Sequence, residues 1–342
     1  MTSLQRYLNT LNGQPVDHIA VLPILMRFAA EFSGATYGEF ASDYRVRNRA
    51  NIACARFFGL DQVDVMSDPY CETQGYGAEI IFERDAVPHC ASHPLAKSLD
   101  LGQLSRPNPF TSVRMRDRLD GLQDYRQTVG GEYSIMGWVE GPAAEAGDLR
   151  GVESFFVDLY EEPGFCKDLM TLCVDVALDF AKQQMDSGAE TIGVGDAVAS
   201  QVSPETYETQ ILPHEQRLVS GLRAMGAKVR LHICGNITHL LPGIASLGVD
   251  ILDVDHMVDL THVRAAIGSR VALAGNIDPV AGVLRGTPPS IRANIIECYK
   301  RAGNPFIVNA GCEIPFGTPR ENLQALCEPI VFEGHPNLIS GQ

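Results

Sequence analysis

The chain contains, near its middle, the segment Lys228-Val229-Arg230-Leu231-His232-Ile233-Cys234-Gly235-Asn236. The β-branched and apolar residues of its first half predict a short strand, and a helical pattern follows at about 238–247. The next apolar run, at 251–254, predicts another strand. A strand, a helix and a second strand in this order form one β–α unit, which is typical of parallel sheets.

The same β–α unit recurs along the whole sequence. Eight short strands are predicted, and a helical segment follows each of them. Alternating strands and helices favour a parallel sheet, and eight units in 342 residues fit a closed barrel better than an open sheet. We therefore expect an α/β protein with the (β/α)8 TIM barrel fold. The strands are predicted at 18–24, 63–67, 133–139, 191–194, 228–231, 251–254, 271–274 and 306–309.

Two further features are expected outside the repeated units. Residues 1–17 predict an N-terminal helical extension that ends in a turn, and the alternation of residues 77–88 predicts a β-hairpin that could act as an arm or a lid. No linker rich in glycine, serine or proline divides the sequence. The chain is therefore expected to form a single domain over residues 1–342.

Composition and charge argue against several classes of function. The chain carries 27 basic and 42 acidic residues, for a net charge of −15, and lacks the basic surface that nucleic acids or anionic membranes require. No apolar stretch approaches the roughly 20 residues of a membrane-spanning helix. Its first residues do not resemble a secretory signal, so a cytoplasmic location is expected.

The 9 cysteines are expected to remain reduced, because a large cytoplasmic chain rarely carries a disulfide framework. Packing, metal binding and catalysis remain as their roles. Most of them lie among apolar residues of helical segments, where burial in the core is the simplest interpretation. These are Cys54, Cys166, Cys173, Cys298 and Cys327.

Polar residues that could take part in catalysis or binding lie at the downstream ends of the predicted strands. In a TIM barrel the chemistry gathers at this end of the strands, whereas random placement would scatter such residues over both ends. Their concentration there predicts an enzyme. The residues are Arg27, Asp68, Glu140, Asp196, His232 with Cys234, Asp255 with His256, Asn276 with Asp278, and Cys312 with Glu313.

Three of these residues are candidate metal ligands. Zinc accepts cysteine sulfur and histidine nitrogen, and a catalytic zinc keeps three protein ligands with one open position. His232 and Cys234 stand two residues apart at a strand end, so they point to the same side of the chain, and Cys312 follows another strand. The spacing alone is equally compatible with a buried histidine and two unrelated core thiols.

Two motifs around these residues resemble a known family. They are His-x-Cys-Gly at 232–235 and Gly-Cys-x-Ile-Pro-x-x-Thr-Pro-x-Glu-Asn at 311–322. Together they resemble the uroporphyrinogen decarboxylase superfamily and, more narrowly, its branch of zinc-dependent, corrinoid-linked methyltransferases. Residues 195–200 and 250–260 also match barrel segments of the family, so the resemblance covers essentially the whole chain.

The resemblance implies a (β/α)8 barrel in which His232, Cys234 and Cys312 hold zinc. It implies methyl transfer between a corrinoid, either methylcobalamin or a corrinoid protein, and a thiol or another small-molecule acceptor or donor. The chain lacks the Asp-x-His-x-x-Gly motif that binds corrinoids, so a separate corrinoid protein is an expected partner. A homodimer is the expected assembly.

Departures from the true decarboxylases point in the same direction. Those enzymes carry Met-Arg-Gln-Ala-Gly-Arg after the first strand, whereas this chain has Met-Arg-Phe-Ala-Ala-Glu at 26–31 and loses the second arginine. They carry Gly-His-Gly near the last strand, where this chain has Gly-Cys-Glu at 311–313. A substrate with eight carboxylates needs several cationic side chains in its binding cleft, and this chain supplies few there.

Two other functions remain open at this point. A metal-free carboxy-lyase of tetrapyrrole metabolism, like uroporphyrinogen decarboxylase, would have no zinc and a cleft rich in arginine. A non-catalytic protein that binds zinc or a corrinoid would hold its zinc with four protein ligands in a closed site.

Three carboxylates are candidate catalytic groups. Asp196 and Asp255 could orient the substrate or hydrogen-bond to His232, although a helix cap is an equally good interpretation of each. Glu313 could serve as a fourth zinc ligand, or it could be a solvated neighbour of Cys312.

Four further residues at the strand ends are expected to bind the substrate: Arg27, Asp68, Glu140 and Asn276. Arg27 could instead pair with Asp68 as an ion pair at the barrel mouth. Asn276 could instead shape, with Asp278, a turn before Pro279.

Overall fold

The structure is a computed structural model, and it describes residues 1–334. The last residues of the expected single domain, 335–342, lie outside the described residues. The strands are β1 (Ala20–Val21), β2 (Gln62–Asp64), β3 (Glu79–Ile81), β4 (His89–Ser92), β5 (Ser134–Glu140), β6 (Thr191–Gly195), β7 (Lys228–His232), β8 (Ile251–Asp253), β9 (Ala272–Ala274) and β10 (Phe306–Val308).

Eight of these strands form one parallel sheet in the order β1-β10-β9-β8-β7-β6-β5-β2. The two ends of the sheet meet at Asp61, which precedes β2. The Asp61 backbone N–H donates to the Val21 carbonyl at 3.0 Å, and the Val21 N–H donates to Asp61 Oδ2 at 2.8 Å. The (β/α)8 barrel expected from the sequence is confirmed, and each of its eight predicted strands is present.

Helices separate the strands and cover the outside of the barrel. None of the helices within residues 1–334 is both long and apolar enough to cross a membrane. The helices are α1 (Ser3–Leu11), α2 (Met26–Ser33), α3 (Tyr37–Ser42), α4 (Tyr44–Phe58), α5 (Cys71–Gly75), α6 (Val113–Val129), α7 (Pro142–Arg150), α8 (Val152–Glu161), α9 (Pro163–Asp186), α10 (Pro204–Thr206), α11 (Leu212–Ala224), α12 (Leu241–Leu247), α13 (Leu260–Ile267), α14 (Pro288–Ala302) and α15 (Arg320–Cys327).

Helical packing explains the cysteines of the outer layer. Helix α9 buries a stripe at helical spacing that includes Cys166 and Cys173 against the sheet. Cys54 on α4 and Cys327 on α15 are also buried, whereas Cys298 on α14 is partly exposed. Burial in the core is therefore confirmed for these thiols with the exception of Cys298.

The N-terminal helix α1 closes the bottom of the barrel. Its Tyr7 is fully buried and packs with a cluster that includes Ile251 and Ile307, from the lower ends of the strands. The Tyr7 hydroxyl lies 2.5 Å from Thr191 Oγ1, at the start of β6. The helical extension predicted at the N-terminus is thus part of the barrel floor, and the open end of the barrel is the opposite one.

A hairpin is present as the antiparallel pair of β3 and β4, but its second strand lies after the predicted range of 77–88. Two hydrogen bonds to backbone carbonyls of its connecting loop hold it against the body of the protein. The Gly38 N–H donates to the Arg84 carbonyl at 3.0 Å, and Arg27 Nη2 donates to the Asp85 carbonyl at 2.9 Å. These contacts fix the arm beside the first βα loop.

Candidate metal centre

The polar centre of the open end is formed by the loops after β7 and β10. His232 is the last residue of β7, Cys234 follows two positions later, and Cys312 lies in the loop after β10. His232 Nε2 is 3.0 Å from Cys234 Sγ, the two sulfurs are 3.6 Å apart, and Cys312 Sγ is 3.8 Å from His232 Nε2. One nitrogen and two sulfurs therefore converge on one point.

These distances fit the edges of a tetrahedral zinc site. Zinc–sulfur bonds of about 2.3 Å and zinc–nitrogen bonds of about 2.0 Å require ligand separations of roughly 3.5–3.8 Å. The separations of 3.6 Å and 3.8 Å lie within this range, whereas the 3.0 Å between His232 Nε2 and Cys234 Sγ would have to lengthen by about 0.5 Å. Within residues 1–334, these three side chains form the group of His, Cys, Asp or Glu residues whose ligand atoms lie close enough together to hold one metal ion.

A buried carboxylate orients the histidine. His232 Nδ1 lies 3.4 Å from Asp253 Oδ2, so the ring presents Nε2 to the sulfurs. Asp253 is in turn held by Arg230, whose Nε donates to Oδ2 at 2.8 Å and whose Nη2 donates to Oδ1 at 2.9 Å. This carboxylate–histidine arrangement is the one that metal-binding histidines ordinarily have.

Asp253 is the functional residue that the sequence reasoning missed. Strand register places Asp253 of β8 directly beside His232 of β7, and this register cannot be deduced from spacing along the chain. A usable signal did exist, because Asp253 ends an apolar strand two residues before Asp255. The orienting partner of His232 is thus Asp253, not Asp196 or Asp255.

The three ligands carry complementary charges. A hydrogen bond from Cys234 lowers the pKa of Cys312 to about 4, against the opposing effect of burial. Burial alone would lower the pKa of His232, but Asp253 and Cys312 raise it to about 10. The hydrogen bond to Cys312 and burial raise the pKa of Cys234. Without a metal ion the group thus favours a Cys312 thiolate beside a protonated His232, and binding of a cation would release the protons of His232 and Cys234.

A small cavity lies directly over the ligands. Its volume is about 190 Å³. One wall is a row of neighbouring strand residues in register, Glu140, Gly195 and His232. Because Gly195 has no side chain, the Trp138 indole and the Glu140 carboxyl can lie over it. The lining residues are Ile24, Met26, Met66, Asp68, Pro69, Trp138, Glu140, Gly195, Ala197, His232, Cys234, Cys312 and Glu313.

The structure brings three of the other predicted site residues to this cavity: Asp68, Glu140 and Glu313. Glu140 Oε1 accepts a hydrogen bond from the Trp138 indole at 2.7 Å. Glu313 Oε1 accepts one from the Arg27 backbone N–H at 2.9 Å. Burial raises the pKa of Glu313 to about 7.

Asp196 follows β6 but does not line the cavity. Its Oδ1 accepts a hydrogen bond from the Ala144 N–H at 2.7 Å, at the start of α7. Burial raises the pKa of Asp196 to about 7, and the carboxyl is paired with that of Glu215. The structure therefore places Asp196 at a helix cap, which is the alternative that the sequence left open.

Asp255 and Asn276 organise the loops beside the centre and do not line the cavity. Asp255 Oδ2 accepts from the Gly235 N–H at 2.9 Å, which fixes the loop that carries Cys234. Asn276 Nδ2 donates to the Asp255 carbonyl at 3.1 Å and to the Val258 carbonyl at 2.6 Å. Both residues thus hold the backbone around the ligands.

Arg27 and Asp68 do not form the ion pair considered from the sequence. Asp68 pairs instead with Arg114, whose Nη1 donates to Oδ1 at 2.7 Å. The Arg27 guanidinium lies 5.0 Å from the centre of the Phe316 ring and contacts the hairpin loop. Arg27 is therefore outside the cavity, while Asp68 contributes a neutralised carboxylate to its wall.

Comparison with known proteins supports the similarity suggested by the motifs. A sequence model of the uroporphyrinogen decarboxylase family matches residues 2–330. The chain is 28% identical over 331 residues to a methylcobamide:CoM methyltransferase of Methanosarcina barkeri, with 94% of this chain and 95% of that protein covered. It is 30% identical over 282 residues to a uroporphyrinogen decarboxylase of Microcystis aeruginosa, with 80% and 79% covered.

A solved structure gives the same result for the fold. A methyltransferase from Methanosarcina mazei matches with a TM-score of 0.87 and 26% sequence identity, over 95% of this chain and 97% of that chain.

Proposed function

The chain belongs to the uroporphyrinogen decarboxylase family, and we propose that within this family it is a zinc-dependent methyltransferase that moves a methyl group between a corrinoid and a small thiol. The observation that carries the proposal is the open group of His232, Cys234 and Cys312 facing a small cavity. The similarity to a methylcobamide:CoM methyltransferase supports the corrinoid and the thiol as reactants.

The donor set determines what a metal can do here. Bound by these three side chains, zinc would keep a position open to the cavity and would favour the thiolate form of a thiol bound there. Asp253 keeps the His232 ring in place, and the apolar residues of the cavity limit the access of water. These side chains would thus orient the bound thiolate and shield it from water.

The transfer reaction balances without another reagent. The thiol sulfur attacks the methyl carbon of a methylcorrinoid bound over the barrel mouth. The carbon–sulfur bond forms while the carbon–cobalt bond breaks, and both of its electrons stay on the corrinoid. The thiol proton passes to solvent. The reverse reaction uses the same groups to demethylate a thioether.

The cavity argues against decarboxylation of a porphyrinogen. Its volume of about 190 Å³ equals roughly six water molecules at about 30 Å³ each, which is far below the size of a tetrapyrrole. Among the described residues that line it, none is lysine or arginine, so carboxylates of a substrate would lack partners. A structural zinc site is also a poor fit, because the three donors face the open cavity instead of a fourth protein ligand.

A direct assay tests the proposal. Zinc-loaded protein is mixed with methylcobalamin and 2-mercaptoethanol, and the loss of methylcobalamin absorbance is followed together with the methyl thioether by mass spectrometry. We expect thiol-dependent demethylation that falls at least about 100-fold in Cys234→Ser, because the remaining donors cannot hold the reactive site. Cys298→Ser, a partly exposed thiol outside the cavity, is the matched control. Equal rates in Cys234→Ser and the wild type would contradict the proposal.

A further inference from the structure

The cavity over the metal ligands has an unusual charge balance for a site that binds a small metabolite. Three acidic side chains line it: Asp68, Glu140 and Glu313. Among the described residues on its wall, none is lysine or arginine. Because Asp68 is paired with Arg114, an anionic group placed in this cavity would meet the carboxyl groups of Glu140 and Glu313 and no lysine or arginine among the described wall residues.

Three arginines lie near the cavity without lining it. Arg114 is buried and binds Asp68 and Ser67 through its two terminal nitrogens. Arg230 lies beneath the ligands and forms a bidentate pair with Asp253. An anion could pair with either of these two only by breaking an existing ion pair. The Arg27 guanidinium contacts the hairpin loop and Phe316 outside the cavity, although its Nε has no hydrogen-bond partner within residues 1–334.

From this distribution we infer that the thiol substrate carries no anionic group, that an amine-bearing small thiol is favoured, and that Glu140 is the residue that recognises its ammonium group. This inference rests on the proposed function and names its substrate class. It separates this chain from any enzyme that accepts a sulfonated or carboxylated thiol.

Glu140 is well placed for this role. It stands in the same strand row as His232, with only Gly195 between them, so its carboxyl faces the space next to the metal ligands. A Cβ at Gly195 would lie 3.2 Å from Glu140 Oε2 and 2.8 Å from Trp138 Cζ2, so glycine is what makes room for this carboxyl and the indole that holds it. Neighbouring strands are about 4.8 Å apart, which places the backbones of Glu140 and His232 roughly 10 Å from each other.

The described residues in the immediate surroundings of Glu140 supply no cation. Its Oε1 is held by the Trp138 indole, which is a neutral donor. Burial, followed by the nearby carboxyl of Glu72, raises the pKa of Glu140 well above its ordinary value, so the empty cavity favours the neutral acid. A bound ammonium would stabilise the ionised carboxylate instead, and the indole ring beside it is an aromatic surface that cations prefer.

Three thiols of equal length test the inference: 2-aminoethanethiol, 2-mercaptoethanol and 2-mercaptoethanesulfonate. The full chain is loaded with Co(II) in place of zinc, and the sulfur-to-cobalt absorption band gives a Kd for each thiol. Methyl transfer from methylcobalamin by the zinc-loaded protein gives kcat/KM for each. We expect the amine to bind at least tenfold more tightly than the sulfonate and to react with at least tenfold higher kcat/KM.

Glu140→Gln separates recognition from intrinsic thiol reactivity. Glutamine keeps the size of the side chain and an oxygen to accept the Trp138 hydrogen bond, so the fold and the metal site are retained. The amine-to-sulfonate ratio of kcat/KM should fall at least fivefold in the variant, and the intrinsic reactivity of each thiol cancels in this comparison. Glu190→Gln, at the opposite end of the barrel beside Arg126, is the control and should keep the wild-type ratio.

The possible results are distinguishable. If the sulfonate binds cobalt as tightly as the amine, or if Glu140→Gln keeps the wild-type ratio, the inference is overturned while the methyltransferase proposal stands. If no thiol changes the cobalt absorption, the proposed function fails and the inference fails with it.

Discussion

At the scale of single residues, the three metal ligands could be identified from the sequence, whereas the residue that orients His232 could not. His232, Cys234 and Cys312 stand out because zinc prefers imidazole and thiolate donors and because their motifs resemble a known family. Asp253 belongs to the same centre through strand register, which a single sequence does not reveal. The position of Asp196 after a strand made it a reasonable candidate, but its side chain accepts a hydrogen bond at the start of α7 and does not reach the cavity.

The role assigned to Asp253 predicts a defect in metal affinity. Asp253→Asn removes the charge that faces His232 Nδ1 and weakens the orientation of the ring. Loss of such a partner typically lowers metal affinity by about 10- to 100-fold, and we expect a change in this range. Competition with a chromogenic zinc chelator measures it.

The control for this experiment is Asp259→Asn. Asp259 caps α13 and is exposed, so its substitution should leave zinc affinity unchanged. Equal zinc affinity in Asp253→Asn and the wild type would show that the 3.4 Å contact does not support the metal site.

At the scale of secondary-structure elements, the strands were predicted well and the helix boundaries less well. Most barrel strands lie in buried runs of apolar residues, and this signal is strong in sequence, whereas β2 and β7 also carry polar and charged residues. The helical segment predicted at about 238–247 is α-helical only over α12, and residues 238–240 before it form a 3-10 turn. Some boundaries depend on single residues. The Asp43 side chain accepts from the Arg45 N–H and so caps α4 where α3 ends. Gly151, whose φ of 89° lies outside the helical region, separates α7 from α8.

The position of the hairpin is sensitive to a single added methyl group at Gly38. Gly38 packs against the hairpin loop, and a Cβ there would lie 2.7 Å from the Glu83 carbonyl oxygen. Gly38→Ala should therefore displace the arm and speed backbone hydrogen exchange over residues 79–92 by at least about tenfold, as measured by mass spectrometry.

A matched glycine provides the control for the hairpin. Gly164 also lies in the first turn of a helix, and a Cβ there would have no neighbour within 4 Å. Gly164→Ala should keep the wild-type exchange over 79–92. Unchanged exchange in Gly38→Ala as well would mean that the arm is not held by this contact.

At the scale of the whole molecule, buried acids make stability depend on pH in an unusual direction. Burial raises the pKa values of Glu72 and Asp196 to about 7. Between pH 4 and pH 7 the folded state then binds more protons than the unfolded chain, so the free energy of unfolding falls as pH rises through this window. Asp253, whose pKa of about 2 reflects its pairing with Arg230, against burial, loses its contribution only below about pH 4.

Glu215→Gln tests this source of pH dependence. Glu215 forms a buried pair with Asp196, and burial raises its pKa as well. Tyr207 donates to Glu215 Oε2 at 2.5 Å, and the glutamine oxygen can accept this bond. With one ionisable acid instead of two, the loss of unfolding free energy from pH 5.5 to pH 8 should shrink by on the order of 1 kcal/mol.

Urea denaturation at both pH values measures this difference. The metal centre is the same in both proteins, so its own pH dependence cancels in the comparison. Asp186→Asn, an exposed carboxylate on α9, should show the wild-type dependence. If the free energy of unfolding of Glu215→Gln depended on pH as it does in the wild type, the pH sensitivity would have to arise from other residues.

The barrel as a whole gathers its chemistry at the open end, around one three-donor centre, and metal analysis tests this account most directly. Purified protein, Cys234→Ser, Cys312→Ser and the control Cys298→Ser are each dialysed and analysed for zinc, with circular dichroism to verify folding. We predict about one zinc per chain in the wild type and the control, and its loss from both ligand variants without unfolding. Zinc retained by Cys234→Ser and Cys312→Ser, or no zinc in the wild type, would contradict the account.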